Sequence, residues 1–251
     1  MLSEQRYSRI LELLAQNGIV KATDLMREFD VSSETVRRDL FLLEKKGHLK
    51  RVYGGAVASS AANIPFSVRE NDMRPQKEEI ARKAISLISD GDIIAIDSGT
   101  TALVMAELLL QVEKRITVIT HSLAAFQMLV QSPYFKVYLT GGEYLAEESA
   151  LCGNITEENI KQFHVNKVFL CPVGVSLSHG YTEFFSQLAS LSRTYLSIAD
   201  KAVYLVDSSK FEHAALMKIS EVSKKDIIIT DSGLSDEMFE LYEKKDITVL
   251  K

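Results

Sequence analysis

The sequence is poor in cysteine, and no stretch of it is both long enough and apolar enough to cross a bilayer. Cys152 and Cys171 are the two cysteines in 251 residues. They form no CxxC pair and lack metal-ligand spacing, which argues against a zinc site and a disulfide. We expect Cys152 on a loop and Cys171 buried in a strand. The run from Ile116 to Phe135 is interrupted by Thr, Ser, Gln and Pro, so no membrane span is expected. The opening MLSEQRYSRI reaches charge within four residues and has no apolar core, so we expect no secretory leader and a cytoplasmic location. Also missing are GxxxxGK[ST], GxGxxG after a strand and HExxH, which argues against nucleotide hydrolysis, dinucleotide binding and zinc hydrolase chemistry. No cofactor and no metal is expected.

What is present is an ordinary globular composition, 46% hydrophobic and 25% charged. The length suits a small domain followed by a medium one, each with its own core. Charge divides the same way. Residues 1–57 hold ten Lys and Arg against eight Asp and Glu, net +2, while residues 58–251 hold nineteen against twenty-six, net −7. A polyanion partner would therefore meet the N-terminal part.

Tyr7, Ile10, Leu13 and Leu14 recur at helical spacing, predicting a helix from Ser3 to Asn17 that stops at Gly18. A shorter helix is expected from about Thr23 to Phe29, burying Leu25 and Phe29. After a tight turn at Asp30-Val31, Ser32 caps a third helix. On that helix Val36, Leu40 and Leu43 form one stripe, with Glu34, Arg38 and Lys45 roughly opposite. It ends at Gly47, and HLKRVYGGAV then reads as a short hairpin turned at Gly54-Gly55. This pattern is a winged helix-turn-helix. Ser33, Glu34, Thr35, Arg37 and Arg38 supply phosphate- and base-contacting groups where a recognition helix presents them. A lone basic helix is more often just a solvated face; here the cap, the short turn and the wing occur together. Phe41 and Leu42 flank the stripe where polar residues would be usual, and either extend packing onto the first helix or the wing, or make a dimer or interdomain contact.

After the ASSAANIP stretch, which reads as a linker, β-branched runs appear at 92–97, 116–120, 136–140, 167–171, 202–206, 226–230 and 247–250. Helical segments such as Lys77–Ile88 and Thr101–Leu110 separate most of them. Buried strands alternating with helices imply a mainly parallel sheet covered on both faces, whose ligands sit at the carboxyl ends of strands. There lies DSGTT, residues 97–101. Helix N-terminal amides with the hydroxyls of Ser98, Thr100 and Thr101, and Gly99 for close approach, suit a phosphate dianion, or equally a cap that needs no ligand. Asp97 would accept from ligand hydroxyls or orient the loop. THS (120–122), TGG (140–142) and DSSK (207–210) bring further hydroxyls, glycines and Lys210 to the same edge. His121 could reach a ligand there. Glu143, Glu147 and Glu148 read as a solvated loop.

The segment VSSETVRRDLFLLEKKGHLKRVYGGAV closely resembles the N-terminal signature of the DeoR family of bacterial sugar-metabolism repressors. The order PFSVR, DSGTT, THS, TGG, Gly180 and DSSKF is similar to that family's C-terminal sensor. The resemblance implies an α/β protein, with an N-terminal winged helix-turn-helix that binds double-stranded operator DNA. It also implies a sensor resembling ribose-5-phosphate isomerase that binds a phosphorylated sugar. By the same resemblance, Ser32, Ser33, Glu34, Thr35, Arg37, Arg38 and Arg51 contact DNA. Asp97, Ser98, Gly99, Thr100, Thr101, Thr120, Ser122, Gly141, Gly142 and Lys210 line the effector pocket. The expected divisions are 1–57 for DNA binding, 58–74 as linker and 75–251 as sensor. His121, Tyr53, Ser176 and the Phe41-Leu42 pair depart from the family pattern. A single winged helix reads few base pairs, so a homo-oligomer, dimer or tetramer, is expected. Two alternatives stand beside the repressor: a sugar-phosphate isomerase with Glu183 and Asp97 as candidate acids, and a protein-binding adaptor.

Overall fold

A computed structural model describes residues 3–17, 19–46, 48–52, 54–58 and 66–251. The expected helix stops at Gly18 and Gly47, the wing residue Tyr53 and stretch 59–65 of the expected linker lie outside the described residues. The chain divides into two compact units, Met1–Val68 and Arg69–Lys251.

The first unit contains α1 (Ser3–Asn17), β1 (Ile19–Lys21), α2 (Ala22–Phe29), α3 (Ser33–Lys45), β2 (Leu49–Val52) and β3 (Gly55–Ala58). Ile10, Leu14, Leu25, Phe29, Val36, Leu40 and Leu43 converge in one buried cluster, as the helical stripes require. Each such side chain contributes roughly 1.5–3 kcal/mol by leaving water. Asp30 ends α2 in the left-handed region at φ 50°, and Val31 N donates back to the Met26 carbonyl at 3.2 Å. That reversal sets the short turn before α3. The wing has a third strand: β3 pairs antiparallel with β1 as well as β2. Gly55 permits this, since a Cβ there would lie 2.0 Å from the Val20 carbonyl oxygen. Sequence reading missed β1 because three residues carry no measurable alternation.

α4 (Phe66–Arg69) carries the boundary between the units. Next come α5 (Arg74–Ser86), β4 (Ile93–Ile96), α6 (Thr100–Leu109), β5 (Ile116–Thr120), α7 (Leu123–Leu129) and β6 (Phe135–Leu139). They are followed by β7 (Glu143–Leu145), β8 (Ala150–Cys152), α8 (Asn154–Ile160), β9 (Val165–Leu170), β10 (Gly174–Ser176) and β11 (Gly180–Glu183). The chain closes with α9 (Ser186–Ile198), β12 (Ala199–Leu205), β13 (Met217–Ser220), β14 (Ile227–Ile229), α10 (Asp236–Glu243) and β15 (Thr248–Leu250).

The seven expected strands form one sheet in the order β15-β14-β12-β9-β4-β5-β6, and every neighbouring pair is parallel. Alternation divides their side chains between two cores. Ile94, Ile96, Phe169, Val203 and Leu205 pack with α5, α6 and α7. Ala95, Val168, Leu170 and Tyr204 pack with residues of α8, α9 and α10. From the centre, β4, β5 and β6 run to one side and β9, β12, β14 and β15 to the other. The β4/β9 boundary is therefore the topological switch point, where connections leave in opposite directions and a crevice opens at the strand ends. Two smaller antiparallel sheets, β7-β8 and β10-β11-β13, were not expected.

The cysteine assignment reverses. Cys152 is buried at the end of β8, and Cys171 is half-buried just after β9. Among the described residues no helix is long and apolar enough to cross a membrane.

Candidate functional site

Ser32 caps α3: its Oγ accepts from Thr35 N at 3.3 Å and lies 3.0 Å from Thr35 Oγ1. Ser33, Glu34, Arg37 and Arg38 are exposed on the first turns, with Thr35 half-buried beside them. Behind this face is a feature that the sequence reading missed. Asp39, the residue after the arginines, is buried and bonded to Arg6 of α1 through two contacts, Nε to Oδ2 at 2.7 Å and Nη2 to Oδ1 at 3.1 Å. The pair clamps the recognition helix to the first helix and prevents an acidic residue from facing outward beside Arg37 and Arg38. Arg51 of the wing is tied back: its Nε donates to Glu44 Oε2 at 2.6 Å, and its guanidinium lies 5.1 Å from the Phe41 ring centre. Phe41 thus meets the wing, as the packing reading expects, while remaining 48% exposed.

In the second unit a cavity opens at the switch point. It is lined by Asp97, Ser98, Gly99, Thr100 and Thr101 after β4, by Cys171 and Val173 after β9, and by Lys210 after β12, with Arg69, Glu148, Glu183 and Leu188 completing it. Asp97 ties the two central strand ends together, its Oδ2 accepting from Cys171 N at 3.0 Å and its Oδ1 from Ser98 N at 2.9 Å. Of the two roles left open for Asp97, these contacts perform the loop-orienting one. Gly99 adopts φ 115°, and a Cβ there would stand 3.0 Å from that of Cys171, so glycine is what lets the two strand ends meet. In the DSSK loop the serines are engaged locally. Asp207 accepts from Ser209 N and Oγ, and Asp231 accepts from Ser208 N and Oγ. The loop thereby delivers Lys210, whose Nζ meets the Pro172 carbonyl at 3.3 Å and Asp207 Oδ2 at 3.6 Å.

Four of the expected effector residues lie outside this lining. Thr120 ends β5, one strand from the switch point, Ser122 lies just beyond it, and both serve the fold: Thr120 Oγ1 donates to the Ile96 carbonyl, and Ser122 caps α7. Gly141 and Gly142 follow β6, two strands away, where the Gly141 carbonyl accepts from Thr156 Oγ1. His121 is fully buried with Nδ1 3.3 Å from the Tyr195 hydroxyl. Burial drives its pKa down to about 3, so its 3.5 Å approach to Asp97 is not an ion pair. Ser176 accepts from His179 N in the β10-β11 turn, away from the cavity.

Sequence reading also misplaced Glu148. Glu143 and Glu147 are exposed, but Glu148 is 7% exposed and bonded to Arg69 at 2.6 Å. Glu183, at the end of β11, directs Oε1 to Phe184 N at 2.6 Å. Burial is the main cause that raises Asp97 and Glu183 to about 7 each; backbone donors oppose the rise and neighbouring carboxylates add to it. Both acids are therefore partly protonated at neutral pH, able to donate to a ligand oxygen as well as accept.

A winged helix-turn-helix carrying an arginine-rich face, joined to an α/β unit with a polar cavity at its switch point, is the build of a ligand-responsive DNA-binding regulator. The comparisons agree: a model of the DeoR-like helix-turn-helix domain matches residues 6–62, and one of the DeoR C terminal sensor domain matches residues 73–232. The chain belongs to the DeoR family of transcriptional regulators. An L-fucose operon activator of Haemophilus influenzae is 34% identical over 245 residues, covering 96% of this chain and 97% of its own. A glycerol-3-phosphate regulon repressor of Escherichia coli is 31% identical over 233 residues, 92% of each chain. A ribose 5-phosphate isomerase A from Methanocaldococcus jannaschii aligns over 54% of this chain and 53% of its own, with 19% identity and a TM-score of 0.40, a likeness too shallow to carry an argument about activity.

Proposed function

We propose that this chain represses a sugar-catabolic operon and leaves its operator when a phosphorylated sugar occupies the switch-point cavity. In this reading residues 1–57 bind DNA, 75–251 sense the ligand and 58–74 join them, with Arg69 of the joining segment reaching the cavity. The observation that carries the sensing part is the convergence of the α6 N-terminus, three hydroxyl side chains, Lys210 and Arg69 on one cavity. Amide dipoles and cations bind the phosphate, and the partly protonated Asp97 and Glu183 suit the sugar hydroxyls. Thr120, Ser122, Gly141 and Gly142 support that cavity by holding the sheet edge. On DNA, Ser32, Ser33 and Thr35 position the helix, Glu34, Arg37 and Arg38 face the groove, and Arg51 contributes through the wing. Both half-sites of a repeated operator would be filled by a homo-oligomer in the cytoplasm. The relatives named as regulators of sugar or glycerol-phosphate operons support this reading, and because one of them is named an activator, the sign of control belongs to the test.

Glu183 and Asp97, the acids of the isomerase alternative, both direct carboxylate oxygens at backbone N–H groups, which favours holding over proton transfer. The test selects genomic fragments on the full-length chain, then asks which sugar phosphate releases them. Arg38→Ala is expected to weaken DNA binding at every site and lower the salt slope by about 1, with ligand binding intact. Thr100→Val is expected to do the reverse. Loss of both functions in both variants refutes the two-part division, and turnover of a sugar phosphate by the purified protein refutes the regulatory reading.

A further inference from the structure

The cavity already holds an anion of its own. Glu148 Oε1 accepts from Arg69 Nη2 at 2.6 Å, and the same nitrogen reaches the Glu147 carbonyl at 3.4 Å. Both side chains line the cavity, Arg69 at 23% and Glu148 at 9% exposure. Around them the charges are unequal: the carboxyls of Asp97, Glu148 and Glu183 share the space with two cations, Arg69 and Lys210. A phosphate entering this cavity meets one flexible ammonium at Lys210 and one planar guanidinium at Arg69. The guanidinium is the better match, because its fork pairs two phosphate oxygens at once. It is also the group that Glu148 occupies.

The backbone on either side of the pair is fixed. The Arg69 carbonyl accepts from Lys77 Nζ, a buried ammonium that also donates to the Asp72 carbonyl at 2.5 Å. Glu148 lies on a single 3-10 turn, Ala146–Glu148, closed by Ser149 at φ 47°. With the main chain held at both ends, the side chains can change partner without moving either backbone anchor.

We propose that Arg69 is the phosphate-binding arginine of the cavity and that Glu148 is its built-in competitor, so that a ligand binds by taking Arg69 away from Glu148. The proposal rests on the sugar-phosphate reading of the cavity and adds a selection rule to it. A neutral sugar has no charge with which to replace a carboxylate on a guanidinium, so it leaves the pair intact and does not bind. A phosphate dianion carries more charge than Glu148 and offers three oxygens, so it replaces it. Arg69 is the first residue of the second unit and the last of α4; its change of partner therefore takes place where the chain arrives from the DNA-binding unit.

The test measures binding of inorganic phosphate and of a sugar-phosphate panel to the full-length chain by calorimetry. Glu148→Gln, nearly isosteric and without charge, is expected to bind inorganic phosphate about tenfold tighter than wild type. Glu143→Gln removes the same formal charge from an exposed strand and is expected to leave the affinity unchanged. Arg69→Ala should weaken binding by at least about tenfold, and the gain from Glu148→Gln should vanish in the Arg69→Ala background. If Glu148→Gln lowers the melting temperature, Glu148→Asp, which retracts the carboxylate by one methylene, should give a smaller gain in the same direction. Binding that is no tighter in Glu148→Gln, or a gain that survives without Arg69, overturns the proposal while leaving the sensor reading intact. A wild-type chain that binds neither inorganic phosphate nor any phosphorylated sugar overturns both.

Discussion

Asp39→Ala isolates what holds the recognition helix in place. The Asp39 and Arg6 side chains are 4% and 10% exposed and joined by contacts of 2.7 and 3.1 Å. Removing the carboxylate takes both of these contacts away from a guanidinium nearly out of water, and breaking a buried pair from one side costs about 3–5 kcal/mol. A unit that ends at Val68 has a total stability of roughly 3–10 kcal/mol at ordinary values per residue. The substitution therefore removes a large fraction of it, lowering the melting temperature of this unit by roughly 12–40 °C at about 4–8 °C per kcal/mol. Scanning calorimetry of the full-length chain should show the N-terminal transition moving down alone, and anisotropy on a selected DNA fragment should show binding lost in parallel. Phosphate binding by the second unit should be retained. Replacing both members, Arg6→Met with Asp39→Leu, removes the charges together and is expected to recover most of the stability. An Asp39→Ala chain that melts within about 5 °C of wild type and binds DNA normally would refute the assignment of the pair as the clamp on α3.

Glu183, raised to about 7 chiefly by burial, keeps its proton in the folded chain across a pH range where the unfolded chain has lost it. Its contribution is complete below the unfolded value and is lost as pH rises through about 7, so Glu183→Gln should stabilise the protein at pH 8 by on the order of 3 kcal/mol and change little at pH 4, as paired thermal melts would show. A gain equal at both pH values would contradict the raised pKa. Affinity for a sugar phosphate should fall between pH 7 and pH 8.5 as Asp97 and Glu183 ionise, a range in which the monoester's own second ionisation, near 6, is largely past; a titration series finding the affinity constant would contradict the raised pKa of the two acids. Gly142→Ala should destabilise the second unit by at least about 2 kcal/mol, because φ is 124° and the new Cβ would stand 2.0 Å from Thr156 Oγ1 and 2.6 Å from the Cys152 carbonyl; an unchanged melting temperature would overturn that geometry.

The main sheet is legible in the sequence because both of its faces are covered. Strands such as Ile93–Ile96 and Ile227–Ile229 must be apolar on consecutive residues, so each stands out as an unbroken β-branched run. The recognition helix is legible for a different reason: a cap, a stripe and a glycine-turned hairpin are local signals, each decided within a few residues. The short antiparallel strands leave no such trace. β7, β8 and β10 have three residues each, too few for a period of two to register, and they are held by register with partners elsewhere in the chain.

The site follows the same division between local and topological information. DSGTT is readable because a helix N-terminus, its hydroxyls and its glycine are contiguous. Which other strand ends join it depends on strand order. The sequence shows that β4, β5, β6 and β12 all end in polar loops, but not that β9 lies beside β4 while β6 lies two strands away. That fact of order brings Cys171 into the cavity and leaves Gly141 and Gly142 out, while Lys210 arrives on the Ser208–Lys210 turn after β12, the strand beside β9. Arg69, Glu148 and Glu183 are further from view, since they come from α4, a 3-10 turn and a short strand. A glutamate in EYLAEES looks solvated until an arginine 79 positions away is placed against it. The acidity of the second unit is therefore not only a solvated surface: part of it is turned inward, where Glu148 pairs with Arg69 in the cavity lining.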